Sequence, residues 1–289
     1  MTAEHLKIWE RPKLDSPRMI LGLSGWMDGG AVSLGTVDFL VDEFDAKMFA
    51  EIVADDFYIY NFPGSMEISA LFRPHVSLED GLVKDYHQIE NLFYYDTKNQ
   101  LILFEGKEPN LKWNLFCECI FALAEEFSVK EMFFVGSYAG LVPHTREPPI
   151  MCTVSDATLK EHLAQYKIKF SNYKGPCSIV NQLTRTAPEL GIKMVSLVAE
   201  IPAYVQGRNP RCLEAMLKRL AALLHLELNL EPIRSLSDKL EKKIDTLIEE
   251  RSELADHIEK LEANYDEEVF DSDMGDLKRW LEQQGIRLD

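Results

Sequence analysis

A histidine, a hydroxyl and a guanidinium stand in a row at His144-Thr145-Arg146, within the stretch Gly136 to Pro149. Together such groups can hold an anion through charge-assisted hydrogen bonds. Arg73, in Phe72-Arg73-Pro74, offers a second guanidinium. Ser24-Gly25-Trp26-Met27-Asp28-Gly29-Gly30 follows an apolar run and precedes a helical pattern, an arrangement related to anion sites at helix N-termini. It lacks the spacing of a dinucleotide or P-loop motif, and Asp28 would repel a phosphate. The same glycines would equally serve a tight turn under a sheet. Trp26, Asp28, Gly30, Arg73, His144, Thr145, Arg146 and Tyr204 form the candidate pocket. They are expected to converge at the carboxyl edge of a sheet, where ligands of open α/β folds gather. The competing reading pairs Arg146 with a carboxylate and makes His144 a loop cap.

Other chemistries fit less well. Ser24, His144 and Asp28 could be drawn as a triad, but neither Ser24 nor Ser137 lies in a nucleophile elbow. His144 and Cys152 have no partner at zinc spacing, so no metal is expected. No glycine loop with lysines is present to grip a nucleotide, and no cofactor is expected.

The elements that must position these residues alternate. Met19–Leu23, Met48–Ile52, Phe57–Tyr60, Glu131–Val135, Ile150–Val154 and Lys193–Ile201 read as strands, and Asn91–Tyr95 with Leu101–Glu105 as a hairpin. A turn is expected at Glu79-Asp80-Gly81. Gly136 and Gly140 are expected to break the strand before them, leaving an irregular, proline-rich loop. Helices are predicted over Ala31–Phe44, Leu111–Phe127, Ile179–Leu190 (closed by Gly191) and from Asn209-Pro210 through Leu224, with Asp156 capping another. Strands alternating with helices imply an α/β sandwich with a largely parallel sheet.

At 289 residues the chain can build one large core plus an appendage. Its net charge of −17 argues against unassisted binding to nucleic acid or an anionic membrane. Five cysteines without paired spacing suit reduced thiols, and no signal peptide or membrane-length apolar run is seen, so a cytoplasmic protein is expected. From Glu231 onward 18 acidic residues face 9 basic ones. There a helix is predicted from a capping box at Ser235–Asp238 to about Asn264. Leu240, Ile244, Leu247, Arg251, Leu254, Ile258, Leu261 and Tyr265 form its heptad-like seam. A short amphipathic helix with Trp280 should follow and fold back near that seam. Residues 1–230 are thus expected to form the core and 231–289 a helical extension.

Several stretches together resemble the proteasome assembly chaperone 2-like family. They are Gly25–Gly30, Phe72-Arg73-Pro74, Glu108–Trp113, Val142–Arg146, Tyr173–Pro176 and Ile201–Val205, in the family's order. The resemblance covers about Met19 to Leu230. It implies a three-layer α/β/α sandwich of the phosphorylase/hydrolase-like kind and an assembly-chaperone-like role by protein interaction. It further implies a homo-oligomer, with a trimer favoured, and a possible protein partner linked to proteasome-type complexes. A phosphorylase- or hydrolase-like enzyme acting on a nucleoside-like or small anionic substrate is the alternative. Family members often carry Pro-His-Tyr where this chain has Pro202-Ala203-Tyr204. Relatives that dock on the proteasome end in a motif with a penultimate tyrosine, whereas this sequence ends Ile286-Arg287-Leu288-Asp289.

Overall fold

In the computed structural model, residues 2–70, 72–166, 168–249 and 255–267 are described. The apolar run Met19–Leu23 lies at the middle of the main sheet with nearly every side chain buried, as a strand covered on both faces requires. The chain begins with α1 (Thr2–His5) and β1 (Leu6–Ile8), then enters β2 (Arg18–Ser24), α2 (Val32–Phe44) and β3 (Lys47–Ile52). An excursion holds α3 (Met66–Ala70), β4 (His75–Glu79) and β5 (Leu82–His87). The hairpin β6 (Leu92–Asp96) and β7 (Leu101–Lys107) leads to α4 (Trp113–Glu126) and β8 (Glu131–Gly140). Next come β9 (Ile150–Val154), α5 (Leu159–Ala164), β10 (Lys169–Phe170), α6 (Ile179–Thr186), β11 (Lys193–Pro202), α7 (Pro210–Leu224) and α8 (Glu231–Glu249). A further helical stretch covers 255–267.

Nine strands form one sheet in the order β1-β3-β6-β7-β2-β8-β11-β9-β10. The four central strands β7, β2, β8 and β11 run parallel. Outside them β6 joins β7, and β9 joins β11, antiparallel. Two apolar clusters cover the faces. One combines the sheet with α4 and α6, the other with α2 and α7, so the molecule is a three-layer α/β/α sandwich. No described helix is long and apolar enough to cross a membrane.

Four expectations change. Gly136 and Gly140 do not break β8, because β11 pairs with it in unbroken register from Glu131↔Lys193 to Gly140↔Pro202. Gly136 serves a close approach instead: a Cβ there would lie 2.9 Å from the Met27 carbonyl oxygen. Phe57–Tyr60 is not a strand. Phe57 plugs the core edge-on against Phe116, while its carbonyl accepts hydrogen bonds from the backbone of Asn110 and Leu111. Asp156 closes a local turn onto the Thr158 N–H and hydroxyl rather than capping α5 directly.

The fourth change concerns the extension. α8 starts at Glu231, earlier than the Ser235 box, with Pro232 in its first turn, where a missing N–H costs nothing. Nor do 231–249 and 255–267 form one straight rod. Asp245 and Glu262 reach adjacent residues, His144 and Thr145, although a straight helix would hold them about 25 Å apart. The two segments therefore lie side by side over the loop after β8. Leu240 and Ile244 line its underside and Ile258 is buried, while Leu247 stays exposed. The expected Trp280 helix, with Arg251 and Leu254 of the seam, lies outside the described residues.

Candidate functional site

The loop 141–149 leaves the carboxyl end of β8 and is held from three sides. Tyr204, just beyond β11, accepts the His144 backbone N–H at 2.7 Å, and its hydroxyl lies 2.8 Å from His144 Nδ1. His144 Nε2 lies 3.2 Å from Asp245 Oδ1 on α8. This assigns the neutral imidazole's tautomer: the Tyr204 hydroxyl donates to Nδ1, and Nε2–H donates to the carboxylate. Burial raises the Tyr204 pKa, with the His144 N–H opposing it.

Thr145 Oγ1 donates a short hydrogen bond to Glu262. Arg146 grips Asp266 with two parallel bonds of 2.9 and 2.8 Å, which hold the aspartate below the usual carboxylate range. Arg211, at the start of α7, donates to the carbonyls of Thr145 and Arg146 and to Glu241 of α8 at 2.8 Å. Of the anion-holding groups read from the sequence, His144, Thr145 and Arg146 thus hold carboxylates of their own chain. Beside them lies a cavity of only about 10 Å³, room for no more than one water and none for a substrate.

Asp28 and Gly30 stand at the same sheet edge but do other work. Asp28 Oδ1 accepts the backbone N–H of Ser33 and Leu34 and so occupies the N-terminus of α2. Burial pushes its carboxyl up to about 6 against those hydrogen bonds. Gly30 has φ of 64°, its carbonyl accepts the Asn209 N–H, and a Cβ on it would lie 2.8 Å from Asn209 Cβ. Asn209 in turn caps α7 by accepting from Cys212 N and lines the small cavity beside His144. Trp26 is exposed, and its backbone N–H reaches Glu108. Arg73 is exposed on the excursion and takes no part in this network.

His144, Thr145, Arg146 and Tyr204 therefore meet directly, Asp28 and Gly30 join through Asn209, and Trp26 and Arg73 stand apart. Ser24 and Ser137 donate to the carbonyls of Gly106 and Gly29, so neither addresses His144. Glu108 repeats the Asp28 pattern, accepting the Ile179 N–H at the start of α6. Sequence reasoning missed Arg211, Glu241, Asp245, Glu262 and Asp266. Their signal was one acidic helix and one arginine after a capped proline, which spacing alone cannot pair. Among the described residues no group of three His, Cys, Asp or Glu side chains could hold a metal.

Fold and site together define an α/β/α sandwich whose loop at the carboxyl edge of the sheet is closed by the chain's own carboxylates. The chain belongs to the PAC2 family, whose model matches residues 22–248. A Mycobacterium tuberculosis protein of unknown function superposes with a TM-score of 0.82 at 22% identity, covering 94% of this chain and 92% of its own. A PAC2 family protein from Streptomyces avermitilis gives 0.70 at 27% identity, covering 83% and 98%. A proteasome-assembly chaperone homologue from Mycobacterium tuberculosis gives 0.73 at 24% identity, covering 83% and 99%. No curated protein matches the sequence significantly.

Proposed function

We propose that this chain acts by protein contact, as an assembly-chaperone-like factor. The observation that carries the reading is the arm formed by β4 and β5. Every residue of both strands is exposed. The turn Asp80-Gly81 has positive φ at both positions, as a two-residue hairpin needs. Directly opposed residues share a face, so Val76 with Tyr86 and Leu78 with Val83 make one face apolar. Ser77 with Asp85 and His75 with His87 make the other mostly polar, with Leu82 opposite Glu79 beside the turn. A lone hairpin with an uncovered apolar face gains little stability in water, and such patches mark interaction sites.

PAC2 membership supports this reading, as does the relative described as a proteasome-assembly chaperone homologue. In it the chain is cytoplasmic and forms a homo-oligomer, a trimer, whose contacts use the arm of the 1–230 core. The 231–289 extension closes the His144 loop through its segments 231–249 and 255–267, and the role extends to proteasome-type complexes. The phosphorylase- or hydrolase-like alternative has less support, since the expected anion site holds the chain's own carboxylates.

Light scattering on the full chain tests it. The intact protein should be oligomeric, and the triple substitution Leu78→Ser, Val83→Ser and Tyr86→Ser should lower its mass with an unchanged circular dichroism spectrum. A monomeric intact chain whose melting temperature rises with phosphate or a nucleoside would favour the enzyme instead.

A further inference from the structure

A second concavity lies on the α4/α6 side of the sheet, away from the His144 loop. Its floor is made by two opposed pairs, Ser196↔Thr153 and Val198↔Met151, on β11 and β9. Thr153 is exposed and Met151 half-buried, so this face of β9 is incompletely covered. The loop before α6, with Tyr173 and Pro176, forms one wall, and Met27 forms another. The enclosed volume is about 530 Å³, within the range of small-molecule sites.

Four features define what would fit. Ser196 lines the floor and is only 4% exposed. Its hydroxyl offers a ligand a group that can donate or accept a hydrogen bond. Asn181, at the rim, has its carbonyl oxygen committed to the Ser178 N–H, which leaves its amide N–H groups for an acceptor. Among the described residues no acidic or basic side chain lines the cavity, so a charged ligand would be desolvated without compensation. Met27 and Met151 place thioethers on two sides, and sulfur packs well against aromatic rings.

We propose that this cleft over β9 and β11 binds an uncharged aromatic small molecule carrying a hydrogen-bonding substituent. The ring lies between the sheet floor, Met27 and Tyr173, with its polar group on Ser196 and Asn181. The site is independent of the arm and of the protein-contact role.

The full chain labelled with carbon-13 in its methionine methyls provides the test, because Met27 and Met151 line the site. Naphthol is the uncharged probe and naphthoate its anionic counterpart. Naphthol should shift the Met27 and Met151 signals saturably and leave exposed Met66, on α3, in place. Naphthoate should bind at least about tenfold more weakly, since burying its charge has no compensation. Thr153→Trp, which fills the cleft from an exposed position, should abolish the shifts. Ser196→Ala, nearly volume-neutral, should weaken binding about three- to tenfold and stands in if the tryptophan variant does not fold. The proposal is overturned if Met27 and Met151 do not shift, or if Met66 follows the same curve. It is equally overturned if naphthoate matches naphthol, or if both variants bind as the parent does.

Discussion

His144 is fixed at its backbone N–H, at Nδ1 and at Nε2, and one hydroxyl, that of Tyr204, serves the first two. Tyr204→Phe leaves a buried donor and a buried acceptor without partners, at a cost of about 1–3 kcal/mol. Urea unfolding should show a loss of that order, and a loss under about 0.5 kcal/mol would mean the hydroxyl does not hold the loop. Glu105 behaves differently. On β7 it is partly buried and faces Asp38 of α2; burial first, then the neighbouring charge, lifts its carboxyl to about 7. A folded-state pKa above the unfolded one means that the fold binds the proton more tightly. Stability is therefore undiminished below about 4.5 and falls as pH rises through about 7. Glu105→Gln should match the parent at pH 4 and melt higher at pH 8. A melting-temperature difference that does not change with pH would refute this.

Among the elements, helix starts at the sheet edge share a device. α2 meets Asp28, α6 meets Glu108 and α7 meets Asn209, so the partial positive charge at each N-terminus is already answered by the chain. Glu108 also accepts the Trp26 N–H, so it ties the loop after β2 to the start of α6. Removing both acceptors in Glu108→Ala should cost about 1–2 kcal/mol, and Glu108→Gln, which keeps one carbonyl oxygen, clearly less. Thermal melts of the two variants decide it; equal losses would show that packing rather than hydrogen bonding holds this junction. The extension is fastened otherwise, by ion pairs between Arg146, Arg211 and the carboxylates of its helical segments. Such exposed pairs contribute little singly, so Leu240, Ile244 and Ile258 supply most of the attachment.

For the whole molecule, the acidic extension sets carboxylates against His144, Arg146 and Arg211, and its net charge of −9 disfavours pairing two such extensions. Deleting everything after Glu231 should leave a folded core with the subunit number of the intact protein, measured by light scattering. Phosphate should then raise the melting temperature of the shortened chain and not of the full one, because Arg146, Arg211 and His144 lose their carboxylates. A shortened chain that is folded but strictly monomeric, beside an oligomeric parent, would make the extension the assembly element.

What the sequence determined by itself is local. Met19–Leu23 and Lys193–Ile201 read as strands because their apolar runs are long enough to be buried on both faces. Asn209-Pro210 read as a helix start because the cap and the ring act on their nearest neighbours. The His144 loop stood out because its residue types are unusual together, and so did its competing reading as a carboxylate-paired cap. Only the tertiary structure decided the rest. Gly136 stays in a strand because β11, some sixty residues later, pairs along its whole length. The excursion hairpin was legible only at its Asp80-Gly81 turn, since the bulge beyond Ser77 breaks the alternation that marks a strand. Arg146 meets Asp266 because the two extension segments lie side by side, and the cleft floored by Ser196 and Thr153 exists because β9 and β11 are neighbours. Each of these depends on contacts between residues far apart in the chain. Residue spacing along the sequence carries the first few neighbours of a side chain, whereas the partner that satisfies a charge or leaves a cavity is set by how the layers close.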